Sequence, residues 1–324
     1  MMGFMQRYLL ILILLISAKT QASASFYQWS DSLGVDTLAL KTFQLQNQLE
    51  ERLLDYQDSD SVLVIKMVQL NLINQSRKKK KQSLLELDIY ACRVANKMAI
   101  SSAKNRYLSH WDLEGMKPYH RYGLNGGVHH VSENAHASWG NEKVNTSYEN
   151  IIAKMNHGHS RFMAERRPND GHKQTVLDPY HTHVGVGYGV EGDWFSYYEE
   201  YVDAYIDIQL VPNSSDQYTL KLKIPDSLSL VLIEVSLDPI PKSQTPQKLN
   251  RKGSYLDQGK VIKNKLWNDD GQIIRENEEI SVNLLLKSSG LYYVQVYVTD
   301  RKLSEKVLTT KGSFPVSGVI IKKE

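Results

Sequence analysis

Cysteine is almost missing from this chain: Cys92 is the only one in 324 residues. No intrachain disulfide can form, so stability has to come from burial rather than from crosslinks. Cys92 sits among Leu85, Leu87, Ile89, Val94 and Ala95, at a spacing that puts it on the buried side of a helix, where a thiol behaves as a small hydrophobe. Charge of one sign is lacking too, since 39 Lys+Arg against 36 Asp+Glu leave a formal net charge of +3. That is too little for the concentrated basic face of a nucleic-acid-binding protein, and no nucleic-acid partner is expected. The one basic run, Arg77 to Lys81, reads as a solvated loop. Beyond residue 24 no apolar run approaches the ~20 residues needed to cross a bilayer, so the mature chain is expected to have no transmembrane segment. Histidine is absent from both ends. All ten lie between Ser109 and Gly187, a crowding that points to a job for imidazole as metal ligand, proton carrier or polar contact.

Residues 1–24 read as a secretory signal: Arg7 supplies a basic start, Leu9 to Ile16 an apolar stretch, and Ala22-Ser23-Ala24 a small-residue cleavage site. Export to the periplasm, cell surface or medium follows. Residues 25–61 form a helical lead-in, with Leu40, Phe43, Leu49 and Leu53 recurring at helical spacing over Leu38 to Tyr56. Helices are expected over Val62 to Asn74, Leu84 to Ala103 and Tyr148 to Arg166. Strands are expected over Thr182 to Val190 and Asp193 to Tyr201. Between Lys104 and Tyr148 the residues Gly115, Pro118, Gly123, Gly126 and Gly127 mark a long irregular connection. It holds His120, His129, His130 and His136. From residue 205 to 324 short strands separated by turns, without helices between them, indicate an all-β, immunoglobulin-like sandwich.

The middle of the chain resembles the CAP superfamily of cysteine-rich secretory, antigen 5 and pathogenesis-related proteins, in its disulfide-free bacterial SCP-like form. The resemblance rests on Leu72-Ile73-Asn74-Gln75-Ser76-Arg77, Ser109-His110-Trp111-Asp112, Ser132-Glu133-Asn134, Asp170-Gly171-His172 and the strand His183-Val184-Gly185-Val186-Gly187, in that order. It implies a three-layer αβα sandwich with a mixed central sheet over residues 62–204. It also implies a surface cleft lined by His110, Glu133, Glu165 and His172. Glu165 is chosen from Phe162-Met163-Ala164-Glu165, which resembles an aromatic-x-x-Glu helix end. Arg121 and Asn134 are expected to support the loops of that cleft.

Two imidazoles beside two carboxylates suit a divalent cation, Zn²⁺ in preference, with His110 and His172 as the nitrogen ligands. A hydrogen-bonded cluster without metal is equally open at this point. The chain lacks His-Glu-x-x-His, and Ser109 is adjacent to His110 only in sequence. The leading expectation is therefore an exported protein that binds a cell-envelope component, lipid or small ligand through the cleft. The competing one is a metal-dependent hydrolase acting on envelope peptide or glycan, with Glu133 or Glu165 as base.

Overall fold

The computed structural model describes residues 24–255, 259–266, 273–276, 279–300 and 312–324. The secretory-signal reading falls almost wholly outside them. A short helix α1 (24–32) leads to α2 (Thr37–Leu49), α3 (Asp60–Lys79), β1 (Glu86–Leu87), α4 (Ile89–Asn105), α5 (Pro118–Leu124), β2 (His130–Trp139), α6 (Tyr148–Ala164), α7 (Gly171–Leu177), β3 (His183–Glu191) and β4 (Trp194–Asp203). The four strands form one sheet in the order β1-β3-β4-β2. The β1/β3 pair is parallel and the others are antiparallel, so the sheet is mixed.

Helices cover both faces of this sheet, which is why β4 is buried along its whole length. On one face, the alternate residues Gly185, Gly187 and Gly189 of β3 receive Ala91, Ala95 and Ala99 of α4. A Cβ at any of the three glycines would come closer than 3.0 Å to the backbone of its alanine partner. Strand period two and helix spacing i, i+4 thus run in step, and helix lies directly on strand. On the other face Val184, Val186, Phe195, Tyr197 and Tyr201 pack with Leu63, Ile73, Ile151, Met155 and Phe162 from α3 and α6.

The lead-in is held by buried polar groups. Arg93 of α4 donates to the carbonyls of Asn47, Glu50 and Arg52 at 2.6–2.8 Å. Lys66 of α3 pairs with Asp58 at 2.6 Å and donates to Asn96 of α4 at 2.9 Å.

Two antiparallel sheets follow. One is β5 (Asp207–Pro212), β6 (Gln217–Lys223), β10 (Glu279–Leu285) and β9 (Ile273–Glu276). The other has the order β12 (Phe314–Pro315), β11 (Gly290–Thr299), β7 (Ser229–Asp238) and β8 (Lys260–Leu266), with β13 (Val319–Lys323) also on β11. Leu220, Leu222, Val282 and Leu284 of the first sheet share a core with Ile233, Val235, Val294 and Val296 of the second.

The division at residue 204/205 is not a break in packing. Leu291, Tyr293 and Ile320 belong to one apolar cluster with Tyr90, Val94, Tyr119 and Val202. The connection from β7 to β8 carries a short helix α8 (Pro246–Leu249), whose Leu249 is fully buried with Ala95, Met98 and Tyr107.

Three expectations change. The connection after Lys104 is not wholly irregular, because α5 starts at Pro118, where a missing N–H costs nothing in a first helical turn. His130 and His136 lie in strand β2 rather than in a loop. The basic run is not a solvated loop: α3 continues through Lys79, and Arg77 is fully buried while Lys78 to Lys81 are exposed. Arg77 donates to the carbonyls of Ser83, Val176 and Asp178 at 2.7–2.9 Å, tying α3 to the chain leaving α7. Replacing Arg77 by Met keeps the stem but leaves those buried acceptors unmet, so Arg77→Met is expected to lower unfolding stability by about 2–4 kcal/mol. Urea denaturation checks this, with Lys79→Met, on the exposed side of the same turn, expected within roughly 0.5 kcal/mol of wild type.

Candidate functional site

Strand β2 is the free edge of the mixed sheet, and its successive residues point to opposite layers. Glu133 points toward α5. Its neighbour Asn134 points toward α6 and α7, donating to the carbonyl of His172 at 3.0 Å and to Glu199 at 3.4 Å. Two loops, one from each layer, therefore meet beside this edge. The loop after α4 carries His110, whose Nδ1 lies 2.8 Å from Glu133 Oε1. Helix α7 carries His172, whose Nδ1 lies 2.5 Å from Glu165 Oε1. The rings of His110 and His172 are 6.2 Å apart at 31°, and Phe162 stacks on the far side of His172 at 4.9 Å. The structure thus brings His110, Glu133, Glu165 and His172 together beside one sheet edge.

Both carboxylates are committed behind the imidazoles. Glu165 is the residue that ends α6, and besides the ring it accepts from the backbone N–H of His172 at 3.0 Å and of Lys173 at 3.3 Å. Glu133 is buried and pairs with the buried guanidinium of Arg121. The same guanidinium donates to the carbonyls of His110 at 2.6 Å and Met116 at 3.2 Å. Arg121 therefore fixes both the loop that presents His110 and the carboxylate that orients it.

Behind Glu133, directly opposite it on β4, lies Glu200, also fully buried and 3.7 Å from Arg121. One guanidinium cannot neutralise two carboxylates. Burial, and then the charge of Glu133, push Glu200 far above the usual carboxylate range. Burial also pushes Glu133 upward, against the pull of Arg121. For His110, burial first and the Arg121 charge second bring its value down to about 4, so the ring is neutral at physiological pH.

Beside Asn134 stands a third buried carboxylate, Glu199. Burial pushes it up, but His159 and the hydroxyls of Tyr197 and Tyr201 outweigh that and bring it below its ordinary value. His159 reaches it at 2.8 Å and Tyr197 and Tyr201 at 2.5 and 2.6 Å.

The other histidines are dispersed. His120 is buried against Asp238 of β7 at 3.1 Å, and His130 and His181 share Asp203 at 2.7 and 2.6 Å. His159 lies inside α6, and His183 bonds Thr182 at 2.8 Å. The Ser109 hydroxyl accepts from the backbone N–H of Trp111 at 3.1 Å, while the His110 ring is on Glu133. His136 stands beyond Phe162, 5.8 Å from His157. Its buried Nε2 has no hydrogen-bond partner among the described residues. No group of three or more His, Cys, Asp or Glu side chains converges as a metal cage among the described residues.

Residues 70–202 match the family model of the Cysteine-rich secretory protein family, CAP. This segment is a CAP domain. A search of curated proteins gives no match. Among solved structures, the chain is similar to an outer surface protein from Borrelia burgdorferi, with 16% identity and a TM-score of 0.33 over 43% of this chain and 92% of that one. It is also similar to an extracellular protein containing a SCP domain from Bacillus anthracis, with 18% identity and a TM-score of 0.31 over 43% of this chain and 42% of that one. The CAP domain here departs from its resemblance by what surrounds it. Glu199, Glu200 and Tyr255 all touch the site, and none is in a quoted motif.

Two outcomes are expected of the CAP domain. His110 and His136, the latter also brought down to about 4 by burial and its cationic neighbours, should show no imidazole protonation between pH 8 and 5 by NMR, with protonation near 4. Because their folded values lie below the ordinary 6.5, the unfolded chain binds these protons first. Stability is intact above about pH 6.5 and is lost as pH falls from there toward 4. Removing the Arg121 guanidinium strands Glu133 and the carbonyl of His110, so Arg121→Ala is expected to cost about 3–5 kcal/mol in urea unfolding at neutral pH. The cost should shrink at lower pH as Glu133 takes up a proton.

Proposed function

We propose that the chain is an exported CAP-domain protein that binds a cell-envelope component, lipid or small ligand through the His110/His172 cleft, with an exchangeable divalent cation, Zn²⁺ in preference. One observation carries this reading: each imidazole has its Nδ1 on a carboxylate, which leaves both Nε2 atoms for a ligand, with the rings 6.2 Å apart. Carboxylate behind imidazole is the arrangement that sets tautomer and raises ligand basicity at metal sites. The donor set fits an open site of two nitrogens, whose other positions belong to water or to the bound ligand. Such a cation would supply charge and a polarised coordination position. No described helix is long and apolar enough to cross a membrane, in keeping with an exported chain. The two C-terminal sheets are read as an immunoglobulin-like sandwich that spaces or presents the cleft.

Hydrolysis of envelope peptide or glycan is the weaker reading. A general base needs a free lone pair within reach of water. Glu133 is held by Arg121 and His110, and Glu165 by His172 and two backbone N–H groups. Titration calorimetry with Zn²⁺ tests the binding reading. His110→Ala and His172→Ala are each expected to abolish most of the affinity, and Glu165→Gln to weaken it roughly tenfold by freeing the ring it orients. His157→Ala should change little. Affinity should fall as pH drops, because only neutral imidazole ligates. Wild-type affinity in both histidine variants would mean that the cluster is structural and that no cation belongs there.

A further inference from the structure

The connection between β7 and β8 does not stay with its own sheet. Over residues 239–255 it crosses to the loop that presents His110 and is fastened there repeatedly. The N–H of Gln244 donates to the carbonyl of Leu113 at 2.7 Å. The Asn250 side chain accepts from the N–H of Leu108 at 2.8 Å and donates to the carbonyl of Arg106 at 3.3 Å. Leu249 is fully buried in the cluster of Ala95, Met98 and Tyr107. Lys252 lies 4.4 Å over the Trp111 ring. The strap reaches the cleft at Tyr255. The Tyr255 hydroxyl accepts from the backbone N–H of Glu133 at 2.8 Å, which satisfies a donor on the free edge of β2. Its ring sits 4.7 Å from that of His110 at 55°.

We propose that this strap is a fixed wall of the cleft and that Tyr255 determines its specificity. It shields His110, so that a ligand reaches this ring only through the space shared with His172. The difference in exposure follows that geometry: the His110 side chain is 18% exposed and that of His172 34%. A ligand group of few atoms that engages His110 together with His172 is compatible with that wall. A fused-ring or acyl ligand laid across His110 is not, because the Tyr255 ring already occupies that position. The inference rests on the proposed cleft for the identity of the ligand, but not for the shielding itself. It assigns the C-terminal region a part in recognition.

The test is carbethoxylation of the intact protein by diethyl pyrocarbonate, with rates read residue by residue from peptide masses. In wild type His172 should react faster than His110. Tyr255→Ala should raise the His110 rate roughly tenfold and leave His172 nearly unchanged, since a shielded group reacts only in molecules that have opened locally. Tyr255→Phe keeps the ring and should leave His110 protected. An unchanged His110 rate in Tyr255→Ala overturns the proposal. Buried His181 reports on general unfolding. If it also becomes reactive in Tyr255→Ala, Tyr255→Leu, which retains apolar bulk while narrowing the shield, replaces that variant and the same His110 to His172 ratio decides. Calorimetry with Zn²⁺ alone on the same proteins separates the two readings. Absence of Zn²⁺ binding in wild type removes the cation, whereas the modification ratio still decides whether Tyr255 is the wall.

Discussion

The close approach of α4 to β3 is the constraint on which the rest of the CAP domain depends. Because Gly185, Gly187 and Gly189 have no side chains, the helix backbone at Ala91, Ala95 and Ala99 rests directly on the strand. Nothing flexible lies between them that could absorb an error. The position of α4 then sets everything it carries: Arg93 and Asn96 toward the lead-in, Tyr90 and Val94 toward the C-terminal sheets, and Met98 toward the strap. Any side chain in the seam would push these contacts apart together, which is the usual cost of enlarging a packed interior.

The site around His110 and His172 is built on buried charge. Glu133, Glu199 and Glu200 all lie beneath it, all fully or almost fully buried, on the two strands β2 and β4. One is paired with Arg121, one is satisfied by His159 and two tyrosines, and one is pushed far above the usual carboxylate range by burial and by the charge of Glu133. Such groups are costly unless their partners stay in place, so the network resists movement. The His110 ring is in consequence held in orientation from behind by Glu133.

Much of this was legible in the sequence, and what was missed has a common physical origin. His110 and His172 could be picked out because each sits in a short motif whose neighbours are local. The strand at Gly185 was legible from its alternation, and the end of α6 from Phe162 and Glu165. Arg77 was misread because its partners are carbonyls supplied by Ser83, Val176 and Asp178, which composition cannot bring near. Glu199 and Glu200 left a signal that could have been used: two adjacent acids in the aromatic strand Trp194–Asp203, which is covered on both faces. Tyr255 left none. It lies among turn residues of the β region and acquires its role only when the chain folds back.

The lead-in bears on where the smallest self-sufficient unit of this fold begins. Within the recognisable segment 70–202, Arg93 is fully buried, and the carbonyls that receive it belong to Asn47, Glu50 and Arg52. Asn96 likewise looks outside that segment, to Tyr56 and Asp58. The stretch that carries the family's signature is therefore electrically incomplete. Its interior holds a cation whose acceptors are written some forty residues upstream, in a segment that the signature does not include. The family match and the buried polar network have different borders in this chain, and the second border lies nearer the N-terminus.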